Sequence, residues 1–177
     1  KANLIDHVRE CWASLFTPRA IFYRFEKELQ KQKISVAVVV QKMVQSEVAG
    51  IAFSVHPVTR VVNQMIIEAG FGLGEAVVSG QITPDSYIVD KSDNTLVDIN
   101  VAEQKKGMFK KKDELGNEWV DIHEGKMEAQ KLSGKQILEL AKMILQIEKH
   151  YGFPVDVEWA LAEGVFYITQ SRPITTL

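Results

Sequence analysis

The stretch VDVEWALAEGVFYITQSRP, residues 155–173, alternates apolar and other residues with a period of two on both sides of Ala162–Glu163–Gly164. That is the pattern of a β-hairpin. The odd positions Val155, Val157, Trp159, Leu161, Val165, Tyr167 and Thr169 are apolar or β-favouring, so they are expected to form one face against a core. The even face carries Asp156, Glu158, Ala160, Phe166, Ile168, Gln170 and Arg172. The two odd sets share a face only if the loop holds an odd number of residues, because a one-residue slip reverses a strand. A three-residue loop at Ala162–Glu163–Gly164, with Gly164 in the left-handed conformation, meets that condition. In this register Glu158 opposes Ile168 and lies diagonally beside Gln170, within side-chain reach.

The even face therefore gathers a carboxylate, an amide oxygen and a guanidinium. Mg²⁺ takes one or two protein oxygens and completes its shell with water and phosphate oxygens. A guanidinium two residues from Gln170 is placed to grip a phosphate with paired hydrogen bonds. The alternative is an exposed polar strand face with an incidental Glu–Arg pair, worth about 0–1 kcal/mol. Spacing alone leaves both readings open.

Upstream, NLIDHVRECWASLF puts Leu4, Val8, Trp12 and Leu15 on one helical face. Thr17 reads as an N-cap with Pro18 at the first helical position, and Ile21, Phe22, Phe25 and Leu29 form the stripe of a second helix. ISVAVVVQKMV is β-branched and nearly continuous, which predicts a strand covered on both faces. AGIAFSVHP and NQMIIEAG predict two more strands around the turn Pro57–Arg60. SYIVDK and TLVDINVAE predict a hairpin around Ser92–Asn94, and KKGMFKK and EWVDIHE another around Leu115–Gly116–Asn117. Ser133 and Gln136 form a capping box for a helix buried through Ile137, Leu140, Ala141, Ile144 and Leu145 and ended by Gly152 and Pro154. The order predicts an α+β fold with a largely antiparallel sheet and packed helices.

The 177 residues suit one domain, and 46% hydrophobic with 25% charged residues is the profile of a globular, water-soluble chain. A net charge of −2 argues against a dedicated nucleic-acid binder. The lone Cys11 excludes an internal disulfide framework and suits the cytoplasm. No apolar run approaches a membrane span. The chain opens at Lys1 directly into helical sequence, which is expected of a piece of a longer protein.

EAGFGLGEAVVSG sets Gly70, Gly72 and Gly74 directly after a predicted strand, with Glu75 to Val78 able to begin a short helix. It is neither the dinucleotide fingerprint nor a P-loop. Alone it reads as a tight turn whose N–H groups could also approach an anion.

Together, VAVVVQKMVQSEVAGIAFSVHPVT, IIEAGFGLGEAVVSGQITPDSYIV and VDVEWALAEGVFYITQSRPITTL resemble the nucleotide-binding region of the phosphoenolpyruvate synthase and pyruvate phosphate dikinase family, to which rifampicin phosphotransferase also belongs. CWASLFTPRAIFYR resembles the helical segment ahead of these blocks, and the resemblance is weakest from Glu103 to Lys131. The resemblance implies the C-terminal subdomain of an ATP-grasp fold, one domain over 1–177, with a helical hairpin at 1–33 and the subdomain proper at 34–177. It implies ATP and Mg²⁺ as cofactors, with Gln41, Lys42, Met43 and Val44 as the hinge beside adenine. It implies Glu158 and Gln170 as metal and phosphate ligands, and Arg172 on the phosphates as the catalytic residue. Gln170 departs from the second carboxylate that ATP-grasp enzymes at large carry, and a glutamine is what the resembled family has there.

The implied activity is phosphoryl transfer from ATP to a carrier histidine on another domain, for making phosphoenolpyruvate from pyruvate. The implied partners are the N-terminal ATP-grasp half and the phosphohistidine domain of the same enzyme. A rifampicin phosphotransferase and a non-catalytic interaction module keeping the fold are the alternatives. His56-Pro57-Val58-Thr59-Arg60 departs from the family's Asn-Pro-x-Thr-Gly, and His7, His56, His123 and His150 lie outside any phosphohistidine context. Trp12, Trp119 and Trp159 read as packing residues, and Lys105, Lys106, Lys110, Lys111 and Lys112 as a solvated hairpin.

Overall fold

A computed structural model describes residues 3–111 and 116–175, which divide into two compact units, Lys1–Met43 and Val44–Leu177. Lys112 of the lysine cluster and Leu115 of the expected turn lie outside the described residues.

The first unit holds helices α1 (Leu4–Ala13) and α2 (Pro18–Glu26), joined by a 3₁₀ turn at Ser14–Phe16. The Thr17 hydroxyl accepts a hydrogen bond from Ala20 N (3.3 Å), and Pro18 opens α2, as the capping signal requires. Arg24 folds back to donate to Leu15 O (2.7 Å), tying α2 to the turn. Neither helix buries a residue, and Trp12, Phe22 and Phe25 are all exposed.

The strand expected over ISVAVVVQKMV does not form. Residues 34–44 enter no ladder, and Val39, Val40 and Met43 are exposed. β-branched residues favour a strand only where a neighbouring strand and a face to cover them exist. Among the described residues this segment is given no neighbouring strand, and Ile34, Val36, Val38 and Val44 are only half-buried.

The second unit is a six-stranded antiparallel sheet in the order β4-β3-β2-β1-β7-β8. Its strands are β1 (Val48–Phe53), β2 (Gln64–Phe71), β3 (Asp85–Asp90), β4 (Thr95–Asn100), β7 (Val155–Ala162) and β8 (Val165–Pro173). A two-stranded ribbon, β5 (Lys106–Lys110) and β6 (Asn117–Asp121), stands beside it, and the short helix α3 (Glu75–Val78) follows β2. The fold class is α+β, as the sequence predicts.

Helix α4 (Gly134–Tyr151) has the full capping box, Ser133 with Gln136, and ends at Gly152 in the left-handed conformation (φ 76°). Its Ile137, Leu140, Ala141 and Ile144 join Met65, Ile67, Tyr87, Val89, Val157 and Trp159 in one core on one face of the sheet. Leu145 is only partly buried against that core.

Buried polar groups fix the helix and loops to the sheet. Glu148 accepts from Lys91 Nζ (2.8 Å) and from Ser54 Oγ (2.9 Å), and Ser54 Oγ in turn accepts from Val155 N. Asp85 and Lys131, both side chains fully buried, pair at 2.8 Å. Tyr87 Oη and the Lys131 and Ala102 N–H groups donate to the same carboxylate. Burial, with Asp85 alongside, holds the Tyr87 hydroxyl far above the ordinary phenol range, so it stays a donor.

The glycine cluster serves packing. Gly72 has φ +93°, and a Cβ there would lie 2.3 Å from Met108 O. Its N–H donates to Glu47 O (2.9 Å), and the N–H of Leu73 donates to Met108 O (2.7 Å). The first bond ties the end of β2 to the residue ahead of β1 and the second ties it to the β5–β6 ribbon, so both donors are spent within the fold, which matches the tight-turn reading of the motif.

Candidate functional site

Glu158, Gln170 and Arg172 sit on the sheet face turned away from α4, and the β7–β8 hairpin places them. The hairpin differs from expectation at its turn. The loop holds two residues, Glu163 (φ 51°) and Gly164 (φ 75°), between the paired Ala162 and Val165. Two successive positive φ values are the turn that matches the twist of a tight hairpin. The even number reverses the first half of β8: Phe166 and Ile168 face the core, while Val165 and Tyr167 are exposed. The expected core face of Val165, Tyr167 and Thr169 is thus corrected.

The ladder then shifts by one residue. Ile168 pairs with Trp159 and Gln170 with Glu158, leaving Thr169 as the extra residue of a bulge. Two loop residues plus one bulge residue restore the odd count, so beyond Thr169 the even positions return to the face away from α4. Glu158 therefore lies directly opposite Gln170, not opposite Ile168, and Asp156 lies opposite Arg172.

Arg172 Nε donates to Asp156 Oδ2 at 2.7 Å. The guanidinium side chain is 59% exposed and the carboxylate 8%. The other carboxylate oxygen, Asp156 Oδ1, is buried without a partner. Gln170 is exposed and Glu158 half-buried, and among the described residues neither side chain has a hydrogen-bond or ion-pair partner. The face is thus open and polar at Glu158, Gln170 and Arg172.

Gln41, Lys42 and Met43 are exposed at the end of the first unit, and Val44, half-buried, opens the second. His56 is a turn residue, its Nδ1 accepting from Val58 N and Thr59 N (both 3.3 Å). Arg60, in place of the family's glycine, has φ 56°, a left-handed conformation that glycine adopts without strain.

The sequence reading put Asp156 on this face without a role and did not assign Glu68 to it. Asp156 is already conspicuous as an acid inside an apolar strand. Glu68 pairs with Ile51, and Ile51 with Glu158, so Glu68 shares their row. Its signal was legible: in MIIEA the neighbours Met65, Ile67 and Ala69 are core residues, which leaves Glu68 facing the other way. Burial raises the Glu68 carboxyl above its ordinary value.

Among the described residues no three His, Cys, Asp or Glu side chains are gathered closely enough to hold a metal by themselves. The donors opposite one another, a carboxylate and an amide oxygen without partners, instead suit an ion that brings phosphate and water with it.

The family profile of the pyruvate phosphate dikinase AMP/ATP-binding domain matches residues 1–177. The chain belongs to that family. Members similar to it include a probable phosphoenolpyruvate synthase of Methanocaldococcus jannaschii, 48% identical over 99% of this chain and 15% of the relative. The phosphoenolpyruvate synthase of Pyrococcus furiosus is 46% identical over 99% of the chain and 22% of its own length. The rifampicin phosphotransferase of Bacillus subtilis is 43% identical over 98% of the chain and 20% of its length. The chain thus spans 15–22% of the length of these relatives. No helix among the described residues is long and apolar enough to cross a membrane.

Proposed function

We propose that this ATP-binding domain is the C-terminal part of an ATP-grasp site. In the longer enzyme it serves phosphoryl transfer from ATP to a carrier histidine on another domain, on the way from pyruvate to phosphoenolpyruvate. The observation that carries this reading is the open row in which Glu158 faces Gln170, one step from the Asp156–Arg172 pair. Membership of an AMP/ATP-binding family supports a nucleotide as its ligand.

Glu158 and Gln170 would hold the metal, and Arg172 would contact the phosphates. Mg²⁺, when bound, supplies neutralisation of charge on the phosphate oxygens. The protein's own contribution is positional. The β7 and β8 backbones hold Glu158 against Gln170, and Asp156 orients the Arg172 guanidinium through Nε, leaving its terminal nitrogens toward solvent. Fixed donors where negative charge develops stabilise a transition state because they need no reorganisation, and losing one typically costs about 10²–10³ in rate. With the rest of the site on the N-terminal ATP-grasp half, the chain alone is expected to be nearly inactive. Gln41 to Val44 would line adenine, with Met43's thioether available to an aromatic ring.

A rifampicin phosphotransferase is the second reading, supported by 43% identity to one. Both readings use the same nucleotide face and differ in domains outside the chain.

The test is a ¹H–¹⁵N titration of the chain with ATP, with and without Mg²⁺. Metal-dependent shifts at Gln41–Val44 and around Glu158, Gln170 and Arg172 are expected. Silence at these positions both alone and with the N-terminal half restored would overturn the reading.

A further inference from the structure

We propose that Glu68 is a further residue of this face, one that anchors the hydrated divalent cation of a metal–nucleoside triphosphate from the end of the row opposite Gln170. The inference rests on the nucleotide reading of the face and extends it to what the face selects, metal-bound over free nucleotide.

The row is set by the ladders. Glu68 on β2 pairs with Ile51 on β1, Ile51 with Glu158 on β7, and Glu158 with Gln170 on β8. All four lie on the face away from α4. Strands stand about 4.8 Å apart, so the Glu68 and Glu158 Cα atoms are about 10 Å apart across the half-buried Ile51. Mg²⁺ binds oxygen at about 2.0–2.1 Å and usually keeps several waters, so Glu158 and Gln170 would hold the ion directly and Glu68 would meet it through a water. Glu68 is half-buried, and among the described residues its side chain has no hydrogen-bond or ion-pair partner.

A second observation points the same way. Asp156 lies two residues from Glu158 on the same face, more than nine-tenths buried, with Oδ1 unpartnered. Along this row and the pair beside it stand three acids, Glu68, Glu158 and Asp156, and the guanidinium of Arg172. A bare triphosphate meets net repulsion there, whereas one carrying a divalent ion meets attraction. The burial that raises the Glu68 carboxyl makes a nearby cation more effective, since low local dielectric strengthens the pair.

The probe is Mn²⁺ with ATP, read by paramagnetic broadening of ¹H–¹⁵N amide signals of the chain, with Glu68→Gln, Glu68→Asp and Glu158→Gln compared. In the wild type, broadening is expected in residues 66–70 as well as 156–160. Glu68→Gln should raise the Mn²⁺ concentration at half-broadening about tenfold, as for the loss of an outer-shell partner, with binding of metal-free ATP unchanged or tighter. Glu68→Asp should recover part of the loss. If Glu158→Gln abolishes broadening and Glu68→Gln leaves its midpoint unmoved, the role of Glu68 is overturned and the nucleotide face stands. Wild-type signals around Glu158 that never broaden would overturn both. A Glu68→Gln chain that weakens metal-free ATP equally would make the residue structural, which also overturns the proposal.

Discussion

Glu158 stands directly opposite Gln170 because Thr169 drops out of the β7–β8 ladder. The pair joins two potential oxygen donors with no backbone segment between them. The Asp156–Arg172 pair follows two residues further along each strand. One bulge thus sets the order of carboxylate, amide and guanidinium along the hairpin, which fits the use of bulges to re-aim side chains at sites.

Replacing Glu158 by Gln keeps the shape and removes the charge. Metal-dependent nucleotide binding is expected to weaken at least about tenfold, about 1.4 kcal/mol, with thermal stability unchanged or slightly higher. Calorimetric titration with and without Mg²⁺ checks this. An unchanged affinity would remove Glu158 from the ligand set.

The parity of this hairpin was legible where the core dictates it. Val155, Val157, Trp159 and Leu161 are all buried as their spacing demands. The reversal at Phe166 was not legible, because Glu163–Gly164 fits a two-residue loop as well as the end of a three-residue one. The bulge that compensates has no local signature in Thr169. ISVAVVV misled for another reason: strand propensity describes fitness for a sheet and does not say whether a neighbouring strand is there. Gln104 and Lys131 were equally hidden, since the partners that make their burial tolerable lie far off in sequence. Gln104 Oε1 accepts from Phe71 N, and Lys131 reaches Asp85.

Arg172→Ala should cost stability as well as phosphate contact. It leaves the buried Asp156 carboxylate with neither oxygen paired, since Oδ1 has no partner already. A loss of about 1–3 kcal/mol is expected, mostly restored in the Arg172→Ala/Asp156→Asn double variant. Asp156→Asn alone should keep the fold and weaken ATP binding, because Arg172 loses the group that orients it. Urea unfolding of the three variants separates these outcomes.

Lys131→Met should be among the most damaging single changes away from the site. It strands the Asp85 carboxylate at 0% exposure, with the Tyr87, Lys131 and Ala102 donors unable to supply the missing charge. Breaking a buried pair this way costs about 3–5 kcal/mol. Adding Asp85→Asn should return part of it, and a double-mutant cycle by denaturant midpoint measures how much.

Gly72→Ala tests the seam between sheet and ribbon. The added Cβ meets Met108 O at 2.3 Å, and the backbone at φ +93° is one that L-residues avoid. A cost of about 2–4 kcal/mol is expected from strain and overpacking together. Gly80→Ala is the control, with φ +69° but nothing within 4 Å of the new Cβ, and should cost only about 1 kcal/mol. Equal losses would show that conformation alone, and not the approach of Met108, requires glycine at Gly72.

Glu68 gives a pH dependence with a definite sign. Its carboxyl is raised in the folded chain by burial, so the folded state holds the proton more tightly than the unfolded one. Stability from this group is therefore full below the unfolded value, about 4.3, and falls as pH rises through the folded value. Above both it settles at a constant deficit. Glu68→Gln removes that deficit, so its melting temperature should exceed the wild type's at pH 7, with the gap closing as pH falls toward 4. Thermal unfolding of both chains between pH 4 and 8 measures the gap. A gap that is constant or widens on acidification would mean that the folded chain does not penalise the Glu68 charge. A stability gain at neutral pH together with weaker metal–nucleotide binding would instead mark Glu68 as a group kept charged on this face at the expense of the fold.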